Sequence, residues 1–505
     1  MKRKIRFNYF TLLTGIMFLI PACTDSFLDI KVQGGVTTKT DPKLAEKLVT
    51  GVYNSLLQGD SWGNGDVHGF AFISVTSIMS DDADKGSTPS DQAVPVGDID
   101  NFTLTPTNKF CESLWSGHYN AIGAANQAIK GLKDAAISEQ QKKIFLGEVK
   151  FLRAYFYFNL VRMFGDVPLV LRVPENAQDA NTDPSFQTRI NKSIVYDSIK
   201  RDLTYAANNL PLKSQAVFGH VNKGTAQTLL AKVHLYLQEW QPAFDLTEAV
   251  RQSGQFQLVD DYATIWRQAG ENNSESIFEI QTGQFNNANF AIDNYTVAQG
   301  ARVGGLGGWD DLGWGFNTPS QSLLNAYEPN DLRRAATIIE IDVTPKIRGT
   351  ILWDGYRVTS AYSVQNRFYN YKAYTSKTAE SFLNVNDKNR PKNIRILRYA
   401  DVLLMNAEAG LALGIGDPTS RVNEIRDRAG LPPKGSVTMA DIWQERRIEF
   451  AMEHDRYWDI VRQGRAAQVM QAAGKTNFVA GRHELLPIPA SQIALSGGKL
   501  TQNNY

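Results

Sequence analysis

From Asp41 onward, apolar residues return at three- and four-residue intervals, the period of a helix with one buried face. Asp41-Pro42 has the form of an N-cap followed by a first-turn proline, and Leu44, Leu48, Val52 and Leu56 continue at helical spacing. A second helix is predicted from about Lys109 to Leu132, with Leu114, Ile122, Ala125 and Ile129 inward. Ser138 and Gln141 have the spacing of a capping box, opening a long third helix through Phe164 that Gly165 and Pro168 end. Further helices are expected at about Ile190 to Asn209, Asn222 to Gln238 and Gln241 to Ser253. Ala226, Leu229, Leu230, Ala231, Leu235, Trp240 and Ala243 alternate small and large side chains in the manner of a tetratricopeptide hairpin. A similar hairpin is read at Tyr399 to Leu413 followed by Pro418 to Ala429, without a regular repeat connecting the two. The expected fold class is mainly α: tetratricopeptide-like helical hairpins carrying long loop-rich insertions.

The helical period lapses in two places. Gly59 to Asn108 is aromatic and acidic, and about 270–390 is rich in Gly, Asn, Asp and aromatic residues. Irregular segments of that length on a helical scaffold are where binding surfaces are usually built. The expected organisation is a single domain over 41–505, with helical scaffold at about 41–269 and 391–480 and the loop-rich region at about 270–390.

The first residues carry Lys2, Arg3, Lys4 and Arg6, followed by the apolar run Phe10 to Ile20, the layout of a signal peptide. This run is too short for the ~20 residues that cross a bilayer as a helix. It ends Leu19-Ile20-Pro21-Ala22-Cys23, which resembles a bacterial lipobox, with Pro21 as the departure. Residues 1–22 are then a lipoprotein signal and 23–40 a tether whose Cys23 carries the lipid. Loss of the four positive charges turns the formal net charge of +1 into −3.

A balance of 53 Lys+Arg against 52 Asp+Glu leaves no basic stripe of the kind that binds nucleic acid. Two cysteines in 505 residues exclude a disulfide scaffold or a multi-cysteine zinc site, and Cys111 is expected as a small buried side chain on a helix. Composition is unusual only in aromatics, with 9 Trp, 19 Tyr and 25 Phe.

Several short motifs, in order, resemble the SusD/RagB family of surface lipoproteins. They are Cys23-Thr24-Asp25-Ser26-Phe27-Leu28-Asp29, Leu114-Trp115 to Ala125-Asn126, and Phe151-Leu152-Arg153-Ala154-Tyr155-Phe156-Tyr157 running into Phe164-Gly165-Asp166-Val167-Pro168-Leu169. Trp314-Gly315-Phe316-Asn317-Thr318-Pro319, Leu397-Arg398-Tyr399-Ala400-Asp401-Val402-Leu403-Leu404 and Asn423-Glu424-Ile425-Arg426 follow. Glu445-Arg446-Arg447-Ile448-Glu449-Phe450, Arg456-Tyr457-Trp458-Asp459 and Leu486-Pro487-Ile488-Pro489 close the series. The resemblance implies a helical, non-catalytic protein, lipid-anchored at the outer membrane and facing outward, that captures a nutrient for a SusC-like TonB-dependent transporter. Most relatives handle oligosaccharides and some branches peptides, so an oligosaccharide is the expected ligand and a peptide the alternative.

A sugar presents apolar C–H faces and hydroxyl edges, so its site needs exposed flat aromatics beside polar groups. The loop tryptophans Trp62, Trp309 and Trp353 are the candidates, against the alternative that each plugs its loop onto the scaffold. Trp115, Trp314, Trp443 and Trp458 are expected in packing roles. Asp81 and Asp82, in Ser80-Asp81-Asp82-Ala83-Asp84, match the family's acidic stretch, where a carboxylate often faces the ligand; a solvated turn is the alternative. No EF-hand fits there, because Gly86 comes one place early and Ala93 stands at position twelve. Arg367 offers a fork of donors to hydroxyls or to a carboxylate, with an internal ion pair as the alternative.

No cofactor, metal or catalytic set is read from the chain. Glu445, Glu449 and Glu453 share a helix face but are interleaved with Arg446, Arg447 and Arg456, which suits ion pairing better than a glycosidase pair. Gly474-Lys475-Thr476 lacks the earlier P-loop glycine, since Val469 stands there. A surface glycoside hydrolase is the remaining enzymatic alternative.

Overall fold

The computed structural model describes residues 37–59, 64–282, 295–302, 312–344, 349–358, 366–376, 378–380 and 392–505. Its scaffold is helical. Pro42–Asn54 opens on Asp41, whose carboxylate accepts from the backbone N–H of Lys43, and buries Ala45, Val49 and Val52. Of the expected stripe, Val52 and Leu56 are buried, while Leu44 and Leu48 lie on the margin of that face. Lys109–Lys133 is capped by Asn108, and Cys111 in its first turn is buried, its thiol pushed up to about 12 by desolvation. Glu139–Phe164 is capped by the Ser138 hydroxyl, which accepts from the Gln141 N–H at 3.2 Å.

Glu139–Phe164 is the central element. From Phe151 to Phe164 every residue is buried, so its second half has no solvent face and no amphipathic period. It ends at Gly165, whose φ of 73° an L side chain rarely adopts, and there an added Cβ would meet Leu485 at 2.8 Å. Lys192–Asn209 packs along it, followed by a hairpin of Lys223–Tyr236 and Trp240–Gln252. Tyr399–Leu413 and Pro418–Arg428 form the second hairpin, and Ala231, Ala243, Met405 and Ala409 meet where the two hairpins pack. Met439–Glu449, Arg456–Arg462 and Ala466–Ala472 complete the scaffold.

Four antiparallel strand pairs stand where no strand is expected, seven of the eight described strands in the loop regions and the eighth, Ile394–Arg398, in the expected helical scaffold. β1 (Ala83–Gly86) pairs with β3 (Phe316–Pro319), and β2 (Ser276–Ile280) with β8 (Ile394–Arg398). β4 (Ile338–Glu340) pairs with β7 (Phe368–Asn370), and β5 (Thr350–Ile351) with β6 (Arg357–Val358). The β2–β8 pair brings Ile280 opposite Ile394, so the two ends of the loop-rich region are joined at the scaffold. The β1–β3 pair, with Ala83 opposite Pro319 and Gly86 opposite Phe316, ties the earlier loop region to the later one.

The scaffold surrounds one large apolar core, and a smaller one of Ile339, Ile341, Leu352, Val358, Tyr369, Tyr371 and Tyr374 lies beneath the β4–β7 and β5–β6 pairs. Glu449 ion-pairs with Arg333 (3.2 Å), Arg398 (3.0 Å) and Arg428 (2.5 Å), all buried. Glu445 pairs with Arg333 and Arg426, and Glu453 with Lys372 and Arg398. The end of the Met439–Glu449 helix and the turn after it, where Glu453 stands beyond the expected helix face, therefore form an ionic clamp between scaffold and loop region.

Candidate functional site

The β5–β6 hairpin is too short to hold itself, and its turn is fixed by side chains from outside. Leu352 N–H donates to the Tyr356 carbonyl at 2.9 Å and Gly355 N–H to the Leu352 carbonyl at 3.0 Å, with Gly355 at φ 80°. Trp353 N–H donates to the Tyr371 phenolic oxygen at 2.7 Å. Asp354 accepts from Tyr356 N–H (3.0 Å), Tyr374 Oη (2.7 Å), Ser376 Oγ (2.5 Å) and Thr378 Oγ1 (3.2 Å). Partial burial works against the charge on Asp354, but the hydrogen bonds from Ser376, Tyr374 and the Tyr356 backbone hold its carboxyl below the usual range. Burial and the Asp354 charge push the Tyr374 phenol up.

This arrangement presents the Trp353 indole at 41% exposure, whereas most of the described tryptophans are buried. Trp115, Trp314 and Trp458 are buried, and Trp443 is half-buried with its Nε1–H donating to Glu408 at 3.1 Å. The Arg267 guanidinium lies 4.4 Å from the Trp353 ring centroid and 5.2 Å from that of Tyr371. Burial pulls Arg267 below its ordinary value, and its Nη1 has no hydrogen-bond acceptor among the described residues. Glu380 accepts from Gln268 N–H and Ser376 N–H, each at 2.7 Å, and Lys392 donates to the Tyr374 carbonyl at 2.5 Å. Burial brings the Lys392 ammonium down to about 7. One open aromatic face, a stacked guanidinium and a rim of hydroxyls and carboxylates are the elements that a sugar ring needs. Sequence reading picks out Trp353 and misses Arg267, which follows a short 3-10 turn and has no motif around it.

Asp81 and Asp82 are not free carboxylates offered to a ligand in the way the acidic stretch suggested: Asp81 lines a cavity separate from Trp353, and both are held by arginines. Both are buried, and Arg456 binds Asp81 through Nε (2.8 Å) and Nη2 (3.0 Å). Arg447 reaches Asp81 at 2.9 Å and Asp82 at 2.8 Å. Burial opposes ionisation of both, but Arg456 keeps Asp81 below the usual range, while Asp82, more deeply buried and beside Asp81, is raised. Neither is kept among the proposed sugar contacts. Arg367 is half-exposed and paired with Glu340 at 2.7 Å, the other Glu340 oxygen taking Arg334 at 2.8 Å. It precedes β7 while Tyr371 follows it, so the strand separates Arg367 from the indole. Trp62, Trp309 and Cys23 lie outside the described residues.

A second recess, of about 160 Å³, lies between the loop before the Lys223–Tyr236 helix and strand β2. Phe218 stands on its edge at 78% exposure, facing the Asn272 and Gln281 amides, which bond each other reciprocally at 2.9 Å. No group of three or more His, Cys, Asp or Glu among the described residues is arranged to hold a metal.

The chain matches the family model described as "SusD family" over residues 274–505 and the one described as "Starch-binding associating with outer membrane" over 27–235. It is 26% identical over 490 residues to SusD-like protein P2 of Formosa agariphila, covering 90% of this chain and 91% of that protein. It is 27% identical over 477 residues to a SusD-like protein of Bacteroides ovatus, covering 88% and 80%. Among solved structures, a laminarin-binding SusD-like protein aligns with a TM-score of 0.75 at 29% identity, over 92% of this chain and 99% of that one. Surface glycan-binding protein A of Bacteroides thetaiotaomicron, in complex with laminarihexaose, aligns with a TM-score of 0.77 at 25% identity over the same shares.

Proposed function

The chain belongs to the SusD/RagB family, and on that premise we propose that it binds an oligosaccharide on its loop-bearing face and delivers it to a SusC-like TonB-dependent transporter. The observation that carries the binding reading is the Trp353 platform: an indole held open by Tyr371 and Asp354, with the Arg267 guanidinium stacked beside it. Stacking on the indole would supply most of the affinity, and Arg267 and the exposed Thr378 would orient the hydroxyls. The glycan-binding relatives support the same ligand class. The role is one of capture without turnover: Asp354, next to Trp353 in the turn, and Glu380, bonded to Gln268 and Ser376, are occupied by donors of the protein itself. A lipid on Cys23 would hold the protein at the outer membrane, beside the transporter, facing the medium.

Calorimetry and affinity electrophoresis on a panel of neutral and acidic polysaccharides, with laminarin the first tried, test the binding reading. Trp353→Ala is expected to weaken binding of the recognised glycan at least about tenfold, or ~1.4 kcal/mol. Unchanged affinity would remove Trp353 from the site. A peptide library run in parallel distinguishes the peptide-binding alternative, and a reducing-sugar assay that detects turnover would replace capture with hydrolysis.

A further inference from the structure

Away from the aromatic platform, a cavity of about 230 Å³ opens between the Met439–Glu449 and Ala466–Ala472 helices. Three guanidinium groups converge on it, those of Arg447, Arg456 and Arg465, with Ser322, Gln444 and Gln468 on its rim. Arg447 and Arg456 are held by Asp81, which itself contributes to the cavity lining, and by Asp82, and Arg447 also by the Ser322 hydroxyl at 2.8 Å. These bonds use Nε and Nη2 of each arginine. Nη1 of Arg447 and Nη1 of Arg456 have no acceptor among the described residues, although Arg456 is only 8% exposed. Arg465 has no carboxylate within ion-pair distance among the described residues: its one hydrogen bond is to Gln463 at 3.3 Å, and it lies 5.2 Å from the Trp443 ring.

The charge count is uneven. Three guanidinium groups share two carboxylates: both oxygens of Asp81 are taken, and Asp82 Oδ2 is buried 3.9 Å from Arg456 Nε without a hydrogen bond. Burial pulls Arg465 below its ordinary value, and the neighbouring Arg456 and Arg447 charges pull it further, against the opposing pull of Asp81. Like charges gathered around a recess with their donors unspent are stabilised by an anion that enters it. The volume is below the ~300–1,000 Å³ that encloses drug-sized ligands, so it suits a single anionic group with a short hydroxylated carrier. The amides of Gln444 and Gln468 supply the carrier's hydrogen-bond partners.

We propose that the Arg447–Arg456–Arg465 cavity is an anion site that takes the carboxylate or sulfate of a sugar acid or sugar sulfate. The two aspartates position Arg447 and Arg456, and Arg465 closes on the ligand from the Ala466–Ala472 side. The site is independent of the Trp353 platform.

Calorimetric titration of the full chain at low ionic strength with glucuronate, glucose 6-sulfate, inorganic sulfate and glucose tests this. Saturable binding of glucuronate or glucose 6-sulfate is expected, weakening as salt is raised, with glucose silent. Arg465→Gln should weaken that binding at least about tenfold while leaving the thermal midpoint unchanged, because Arg465 makes no ion pair among the described residues. Trp353→Ala should leave it intact, which separates failure here from failure of the glycan platform. No saturable binding of either sugar anion up to ~10 mM, equal binding of glucose, or unchanged affinity in Arg465→Gln would overturn the proposal. Inorganic sulfate binding as tightly as both sugar anions would overturn the assignment of a sugar carrier.

Discussion

Trp353 is open because of a phenol 18 residues away. Tyr371 accepts the Trp353 N–H and stacks beneath Arg267, so one side chain sets both the turn and the guanidinium beside it. Tyr371→Phe keeps the ring and removes the acceptor, leaving a turn N–H to water. The expected result is a several-fold loss of glycan affinity, about 0.5–1.5 kcal/mol for one hydrogen bond, smaller than that of Trp353→Ala, read by calorimetry. Affinity equal to wild type would show that the turn holds without this bond. At this scale the sequence is only partly readable. An aromatic residue before Asp354-Gly355 announces an exposed turn, and Trp353 is found that way. Asp81 and Asp82 announce the same thing and are buried, because the partners that claim them, Arg456 and Arg447, lie 375 and 365 residues along the chain. Spacing carries no trace of such pairs.

Elements divide along the same line. Helices whose signals are local are legible: Asp41, Asn108 and Ser138 each cap the helix that follows, and Gly165 stops the longest with a positive φ. The strands of 270–390 are two to five residues long and exist because a distant partner supplies the ladder, so no period of two has room to appear. Met439–Glu449 is an intermediate case. Its alternation of Glu and Arg reads as ion pairing, but the arginines it meets come from three separate segments of the chain. Glu449 is the centre of that clamp, and Glu449→Gln leaves Arg333, Arg398 and Arg428 competing for the remaining carboxylates. Removing one partner of a buried network costs about 3–5 kcal/mol, so the urea midpoint should fall sharply. Glu139→Ala, which breaks a solvent-exposed pair with Lys142, serves as the control and should leave the midpoint where it was. Equal midpoints in the two variants would mean that the clamp adds nothing to stability.

The whole molecule is a helical scaffold whose two loop regions are stitched together by β1–β3 and pinned at the base by β2–β8. That assembly buries histidines where the interior is fully desolvated. His68 places Nδ1 3.0 Å from the Leu56 carbonyl and Nε2 2.8 Å from the Tyr155 hydroxyl, so the neutral ring donates once and accepts once. His118 meets the Leu114 carbonyl at 2.7 Å, and His454 accepts from the Tyr295 hydroxyl at 2.7 Å. Burial is the main cause that lowers all three, His68 and His454 to about 3 and His118 to about 4. In the unfolded chain each takes a proton near 6.5. Between these values the unfolded state binds more protons than the folded one, so stability falls as pH falls. Each histidine contributes a slope of ~1.4 kcal/mol per pH unit; with His483, which burial also lowers to about 4, the four together give up to ~5–6. Urea midpoints should therefore be level above about pH 7 and drop steeply from about pH 6 to pH 4.5. The buried carboxylates do not produce this: Glu449 and Asp459, held far below their usual range by arginines, lose their contribution only at lower pH. His454→Gln removes one of the four rings held low and should flatten the slope in that window by about a quarter, whatever it does to stability at pH 7. A wild-type midpoint that stays level down to about pH 4.5 would mean that these histidines gain protons in the folded state as readily as in water.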